Sequence, residues 1–144
     1  VTTLLQGKAK MNKAMKIFCC ECGCDINARL TNGGEIYPHR NDLKSLPFWK
    51  CDKCGNFVGC HHKTSKSTKP LGVIPTQAIK NKRKVIHAIM DPIWKKKLMS
   101  RGKVYAKLSS AIGRAYHTAE IRSIDEAEIV IKALRDIRLE VGMV

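Results

Sequence analysis

Cys19-Cys20-Glu21-Cys22-Gly23 and Cys51-Asp52-Lys53-Cys54-Gly55 repeat one pattern, C-x-x-C-G, and their reading decides the fold. Two residues between cysteines let both thiolates face a single ion from one tight turn. The glycine that follows takes the positive φ such a turn requires. Two such turns supply four soft ligands, the donor set that suits tetrahedral zinc. The 28 residues between Cys22 and Cys51 exceed the roughly 15–20 usual between paired turns. A hairpin absorbs the excess. Ile26, Ala28 and Leu30 alternate with polar residues as a half-buried strand, Thr31-Asn32-Gly33-Gly34 reads as its turn, and Glu35-Ile36-Tyr37 as the returning strand.

The spacing predicts one structural zinc on Cys19, Cys22, Cys51 and Cys54, because four protein thiolates leave no open position for water. Two alternatives stay open on the residues alone. Cys20 or Cys24 can replace Cys19 or Cys22, and a redox dithiol needs only one C-x-x-C. Glu21, Asp25 and Asp52 work against a reactive thiolate, since neighbouring acids raise its pKa. Zinc binding and folding of this half are expected to be one event. Phe18, Phe48, Trp49 and Phe57 flank the turns and are expected to pack around them; a base-stacking platform is the alternative for Trp49 or Phe57.

Outward from these turns, charge is the next signal. The 144 residues carry a net +15. Residues 19–60 and 104–144 are each neutral, whereas residues 1–18 carry four lysines without an acid, and residues 61–103 carry twelve basic residues against Asp91 alone. A belt this one-sided is an electrostatic footprint for a polyanion. Its candidate phosphate contacts are Lys63, Lys66, Lys69, Lys80, Lys82, Arg83, Lys84, Lys95, Lys96 and Lys97, with Arg40 added from the ribbon. On the helix, this face is expected to be dispensable for folding.

The remaining organisation follows. Residues 1–15 read as a flexible basic arm, 16–75 as a zinc-ribbon domain and 76–144 as a helical region beginning with a basic helix. Phe48–Lys50 and Asn56–Val58 read as short strands about the second turn, and residues 63–75 as a linker. Ile79, Ile86, Ile89 and Met90 give the basic helix its apolar side, and Asp91-Pro92 is expected to break it. Val104, Leu108, Ala111 and Ile112 form the next apolar stripe, ended by Gly113. Ser123-Ile124-Asp125-Glu126 is a capping box opening a helix with Ala127, Val130, Ile131, Leu134, Ile137 and Val141 on one face. The fold class expected is α+β: an N-terminal zinc ribbon with a small antiparallel sheet, then a small helical unit. No uncharged stretch approaches the roughly 20 residues of a membrane span. No signal peptide precedes the seven cysteines, so a cytoplasmic, metal-binding chain is expected rather than a secreted disulfide framework.

A second polar cluster, Tyr37-Pro38-His39-Arg40 with Gly59-Cys60-His61-His62, has three readings. Its side chains buttress the ribbon; or Arg40, His39 and His62 contact phosphate; or His39, Cys60, His61 and His62 form a catalytic or second metal site. A metal nuclease normally adds carboxylates to hold a hard cation, and only Asp42 and Asp52 lie nearby in sequence.

The order C-x-x-C-G, Y-P-H-R, F-W-x-C-x-x-C, V-G-C-H, P-L-G and H-x-x-x-D-P-x-W resembles a family of small zinc-finger proteins of uncharacterised function, found mostly in bacteriophage and prophage genomes. The matching residues are Cys19–Gly23, Tyr37–Arg40, Phe48–Cys54, Val58–His61, Pro70–Gly72 and His87–Trp94, and Tyr116–Ile121 resembles the tail that follows this finger. Family members usually place a Pro-aromatic pair inside the first turn, where this chain has Cys20-Glu21. The resemblance implies a phage-type accessory protein acting inside a bacterial host cell, and supplies no reaction.

The leading expectation is therefore non-catalytic binding of nucleic acid, DNA or RNA, with weak sequence preference. A module binding an acidic host protein, such as RNA polymerase or a defence enzyme, is the second; a metal-dependent nuclease is the third. Neither a membrane nor a small-molecule substrate is implied.

Overall fold

Alternation of apolar and polar residues builds a four-stranded antiparallel sheet at the start of the chain. In a computed structural model, which describes residues 13–143, the strands are β1 (Ala14–Cys19), β2 (Cys24–Asn32), β3 (Pro47–Lys50) and β4 (Phe57–Gly59), in that spatial order. Each C-x-x-C-G turn is the connection of a hairpin. The first joins β1 to β2, with Cys19 opposite Cys24, and the second joins β3 to β4, with Lys50 opposite Phe57. The period of two fixes the faces. Ile17, Cys19, Ala28, Trp49, Cys51, Val58 and Cys60 point to one side and, with Ile74, form the buried core; Ile26 and Leu30 pack against it. On β3 and β4, Phe48 and Phe57 have the opposite parity. They meet Tyr37 in a trio of edge-on rings with centroids 5.5–5.9 Å apart.

The expected hairpin at residues 31–34 does not form. Strand β2 runs on through Asn32, which then caps a single helical turn, α1 (Gly33–Ile36), its side-chain oxygen accepting from the Glu35 N–H at 3.3 Å. Asn and Gly favour hairpin turns, and the same residues favour a cap. Here Gly33 serves close approach instead of positive φ: a Cβ on it would lie 1.8 Å from the Leu43 carbonyl oxygen. The excursion closes through Gly33 N–H to Leu46 O (2.9 Å) and Gly34 N–H to Lys44 O (3.2 Å), so β2 pairs with β3 and not with residues 35–37.

Residues 63–75, read as a linker, belong to the ribbon. Cys60 bridges Pro70, and Cys19 bridges Ile74. Ile74 N–H donates to Phe18 O and Cys20 N–H donates to Ile74 O, both at 2.9 Å. Val73 and Ile74 are buried, and the Trp49 indole N–H donates to the Thr68 carbonyl at 2.7 Å. The polar run Lys63–Lys69 hides this return, because its partner lies at the opposite end of the ribbon. The arm expected over residues 1–15 lies outside the described residues up to residue 12; β1 already begins at Ala14.

The described residues divide into two compact units between Thr76 and Gln77. The second holds α2 (Gln77–Lys95), α3 (Arg101–Ile112), a 3-10 turn (Thr118–Glu120) and α4 (Ile124–Glu140), giving the α+β class. Helix α4 packs on both α2 and α3. Its apolar face of Ala127, Val130, Ile131, Leu134 and Ile137 is buried with Ile79, Ile86, Met90 and Ile93 of α2 and Val104 and Leu108 of α3. Burying each large side chain contributes roughly 1.5–3 kcal/mol, so this face dominates the unit's stability. Ser123 caps α4 as expected, accepting from the Glu126 N–H at 3.1 Å. The Glu126 carboxylate pairs with Arg114.

Helix α2 does not break at Asp91-Pro92; Pro92 lies inside it. Met90 and Ile93, on either side, are fully buried, while Ala88, whose carbonyl would have accepted the missing N–H, is exposed. Packing thus outweighs the proline penalty of about 3 kcal/mol. The helix ends in a Schellman pair of bonds, Lys97 N–H to Trp94 O (2.9 Å) and Leu98 N–H to Ile93 O (3.0 Å). That motif needs a left-handed residue, and here it is Lys97, at φ 57°, the one non-glycine among the described residues with positive φ. No helix among the described residues is long and apolar enough to cross a membrane.

Candidate metal centre

The parity of β1 and β3 aims Cys19 and Cys51 into the core. Their turns then bring Cys22 and Cys54 round to the same point, with Gly23 at φ 72° and Gly55 at φ 83°. The turns are closed by Gly23 N–H to Cys19 O (2.8 Å) and Gly55 N–H to Cys51 O (2.7 Å). The four sulfur atoms lie within 4.8 Å of one another. Cys19 and Cys54 Sγ are 3.5 Å apart and Cys22 and Cys51 Sγ 3.8 Å apart. A disulfide would require about 2.05 Å, so these are free thiols. Zn–S bonds of about 2.3 Å give a tetrahedron with edges of roughly 3.8 Å, and the observed separations fit it.

Burial favours the neutral thiol at three of the four sulfurs. Burial pushes the Cys54 thiol up to about 11 and raises those of Cys19 and Cys22. Burial acts the same way on Cys51, but backbone N–H groups of Cys54 and Lys53 turned toward its sulfur bring it down overall. The Asn56 N–H lies 3.5 Å from Cys54 Sγ. Four such thiols crowded together stay deprotonated only around a positive ion. Cys20 is half-buried and Cys24 exposed, and neither joins the cluster.

One guanidinium braces the second turn. Arg29, in the middle of β2, donates to Asp52 from Nε and Nη2 (2.8 and 2.9 Å) and to both Glu35 oxygens (3.0 and 2.8 Å). Thr31 and Lys50 also donate to Glu35, at 2.6 and 2.9 Å. Arg29 holds the Asp52 carboxyl low, and Arg29 first, then Thr31 and Lys50, hold that of Glu35 well below its usual range. Asp52 is thus tied to a cation rather than left to bear on the cysteines beside it.

Among the described residues, no second set of His, Cys, Asp or Glu converges as a metal site; His39, Cys60, His61 and His62 are not brought together as one. His39 and His62 are exposed and His61 half-buried. The Cys60 thiol is in the core, where burial pushes it up to about 11. Arg40 is engaged by Asp42 at 2.6 and 2.8 Å. Trp49 is only 2% exposed, too buried to stack a base, and Phe57 is half-buried and edge-on to Tyr37 and Phe48.

The basic belt sorts into two kinds of residue. Lys63, Lys66, Lys69, Lys84, Lys95, Lys96 and Lys97 are exposed, and among the described residues none forms an ion pair. Lys80, Lys82 and Arg83 are half-buried. Burial, then Lys84 and Arg83, lower the Lys80 pKa. Lys82 pairs with Glu128 of α4. Arg83 Nη2 donates to the carbonyls of Ala119 (2.9 Å) and Ile121 (3.0 Å), clamping the 3-10 turn to α2. The two bonds from Arg83 go against the expectation that this whole face is dispensable for folding, whereas a part-exposed ion pair such as that of Lys82 contributes little. Missed in the sequence is a cluster in the second unit. The Arg101 guanidinium carbon lies 5.4 Å from the Trp94 ring centroid and 5.2 Å from that of Tyr105. The i,i+4 spacing of Arg101 and Tyr105 on one helix was the available signal.

Residues 15–138 match a family of zinc-finger-containing domains, and the chain belongs to that family. No curated protein and no solved structure matches it.

Proposed function

We propose that the protein is a zinc-stabilised, non-catalytic nucleic-acid-binding protein. Cys19, Cys22, Cys51 and Cys54 hold one structural zinc that fixes the ribbon, and exposed lysines contact phosphates. The observation that carries this reading is the confinement of the charge excess. The +15 comes wholly from residues 1–18 and 61–103, and Lys63, Lys66, Lys69, Lys84, Lys95, Lys96 and Lys97 stand exposed within that central belt. Of the ribbon's carboxylates, Glu35, Asp42 and Asp52 are each bound to a cation, which favours binding over metal-dependent cleavage. A setting in a phage-infected bacterial cytoplasm accords with this reading through the family resemblance and the free thiols.

Binding to DNA and RNA titrated against salt tests it. Each phosphate contact contributes a slope of roughly −0.9 in log K against log salt on B-DNA and −0.7 on single strands. Replacing Lys63, Lys66, Lys69 and Lys84 by Gln should flatten the slope by up to about 3.6 units on B-DNA and about 2.8 on single strands and leave the melting curve unchanged. Wild-type slope and affinity in that variant would sink the reading. If an acidic protein co-purifies with the chain after nuclease treatment while nucleic-acid affinity is absent, the belt serves a protein partner instead.

A further inference from the structure

Resting on the nucleic-acid reading, we propose that the second unit carries a stacking site for single-stranded nucleic acid, built from Trp94, Arg101 and Tyr105 and flanked by Lys95, Lys96, Lys97 and Lys103.

The site is formed by the reversal after α2. Trp94 sits in the last turn of that helix, the left-handed Lys97 turns the chain, and Ser100 caps α3, accepting from the Lys103 N–H at 3.2 Å. This places Tyr105 beside Trp94, with centroids 6.3 Å apart. Arg101 lies over both rings and donates from Nη2 to the Tyr105 hydroxyl at 3.2 Å. Arg101 is exposed, and Trp94 and Tyr105 half-buried. The cluster is braced from below. Tyr105 meets Tyr116 edge-on at 5.3 Å, and the buried Tyr116 hydroxyl is bonded to Thr118 at 2.6 Å. The exposed guanidinium plane, held over the two rings, matches an unpaired base, because every base has a face to stack and stacking is tolerant of sequence. A duplex hides those faces.

The charges complete the match. Lys95, Lys96 and Lys97 follow Trp94 directly and Lys103 lies between Arg101 and Tyr105; all four are exposed. The only acid of residues 61–103, Asp91, has His87 within 3.6 Å. Lys97 takes the left-handed conformation that this reversal requires.

The test uses the full chain with a short oligothymidylate, an oligouridylate and a blunt DNA duplex of equal length. Both single strands should bind more tightly than the duplex and quench tryptophan emission. That quenching belongs to Trp94, since Trp49 is buried. Arg101→Gln and Trp94→Ala should each weaken single-strand binding about 5- to 150-fold, the range of one lost base stack, while duplex binding loses at most the roughly 0.9 of salt slope that one phosphate contact carries, and that only in Arg101→Gln. Trp94→Phe should restore most of the affinity. The exposed Arg101→Gln decides the matter if Trp94→Ala misfolds. If Arg101→Gln binds both single strands like wild type, or the duplex binds as tightly without quenching, the stacking site is wrong while the phosphate-binding reading stands. If wild type binds none of the three, both fall.

Discussion

Replacing Arg83 by Met separates the two uses a cation on α2 can have. Methionine keeps the length and helix propensity of the side chain and removes its donors. Arg83 gives two bonds, of 2.9 and 3.0 Å, to the carbonyls of Ala119 and Ile121. A hydrogen bond from a charged donor is worth about 1.5–3 kcal/mol, and carbonyls left without it keep a desolvation penalty. Both bonds leave one nitrogen and brace one turn, so they do not add in full; we expect a loss of about 2–4 kcal/mol. For a unit of this size each kcal/mol moves the midpoint by about 4–8 °C, so the helical transition should fall by roughly 8–32 °C. Melting is followed by circular dichroism, where the helices of the second unit dominate. Lys84→Met, one residue on and exposed, is the control and should melt within about 0.5 kcal/mol of wild type. The reasoning is refuted if Arg83→Met melts like Lys84→Met, and a parallel loss of nucleic-acid affinity would then make Arg83 a phosphate contact.

Cys54→Ser should abolish stoichiometric zinc and unfold the ribbon while helical circular dichroism persists, since three thiolates do not close a structural site; zinc retained at one ion per chain by plasma emission would contradict the ligand set. Lys97→Gly should raise the stability of the second unit by about 1 kcal/mol through relief of positive φ, read as a higher denaturant midpoint. It should weaken single-strand binding in the same protein. Because Arg29 lowers the folded-state pKa of Glu35 and Asp52, their stabilisation is present above the unfolded carboxylate values near 4 and lost as pH falls through the acid range. With Arg29 and Glu35 each about one-third exposed, solvent screening leaves roughly 1 kcal/mol. The stability gap between wild type and Glu35→Gln should therefore be visible at neutral pH and close in acid; a gap that stays constant with pH would show that the carboxylate charge is not involved.

The metal cluster could be read from the sequence because its information is local: two residues between cysteines, a glycine after them, and the parity of the strand leading in. The same locality explains the accurate reading of Ser123 as a cap and Gly113 as a helix end. Where the reading failed, the deciding partner was distant. Gly33 avoids a carbonyl ten positions on, Ile74 pairs with Cys19 across the ribbon, and Pro92 stays helical because Met90 and Ile93 bury a common face. Charge counting locates the basic residues but cannot distinguish an arginine that clamps two carbonyls from a lysine that faces water. The aromatic cluster escaped notice because Trp94 and Tyr105 meet only through the turn at Lys97.

The return of Ile74 to the first cysteine turn gives the ribbon a direction in time. A ribosome releases Cys19 and Cys22 long before Cys51 and Cys54, and all four ligands before Ile74. Closing contacts of such wide sequence separation slows folding, and synthesis at about 5–20 residues per second leaves the first turn waiting for several seconds. During that interval the nascent chain exposes two thiols and an open sheet edge. A fragment ending at residue 62 holds every metal ligand but lacks the buried Val73 and Ile74, so we expect an autonomous ribbon to need the chain through residue 75.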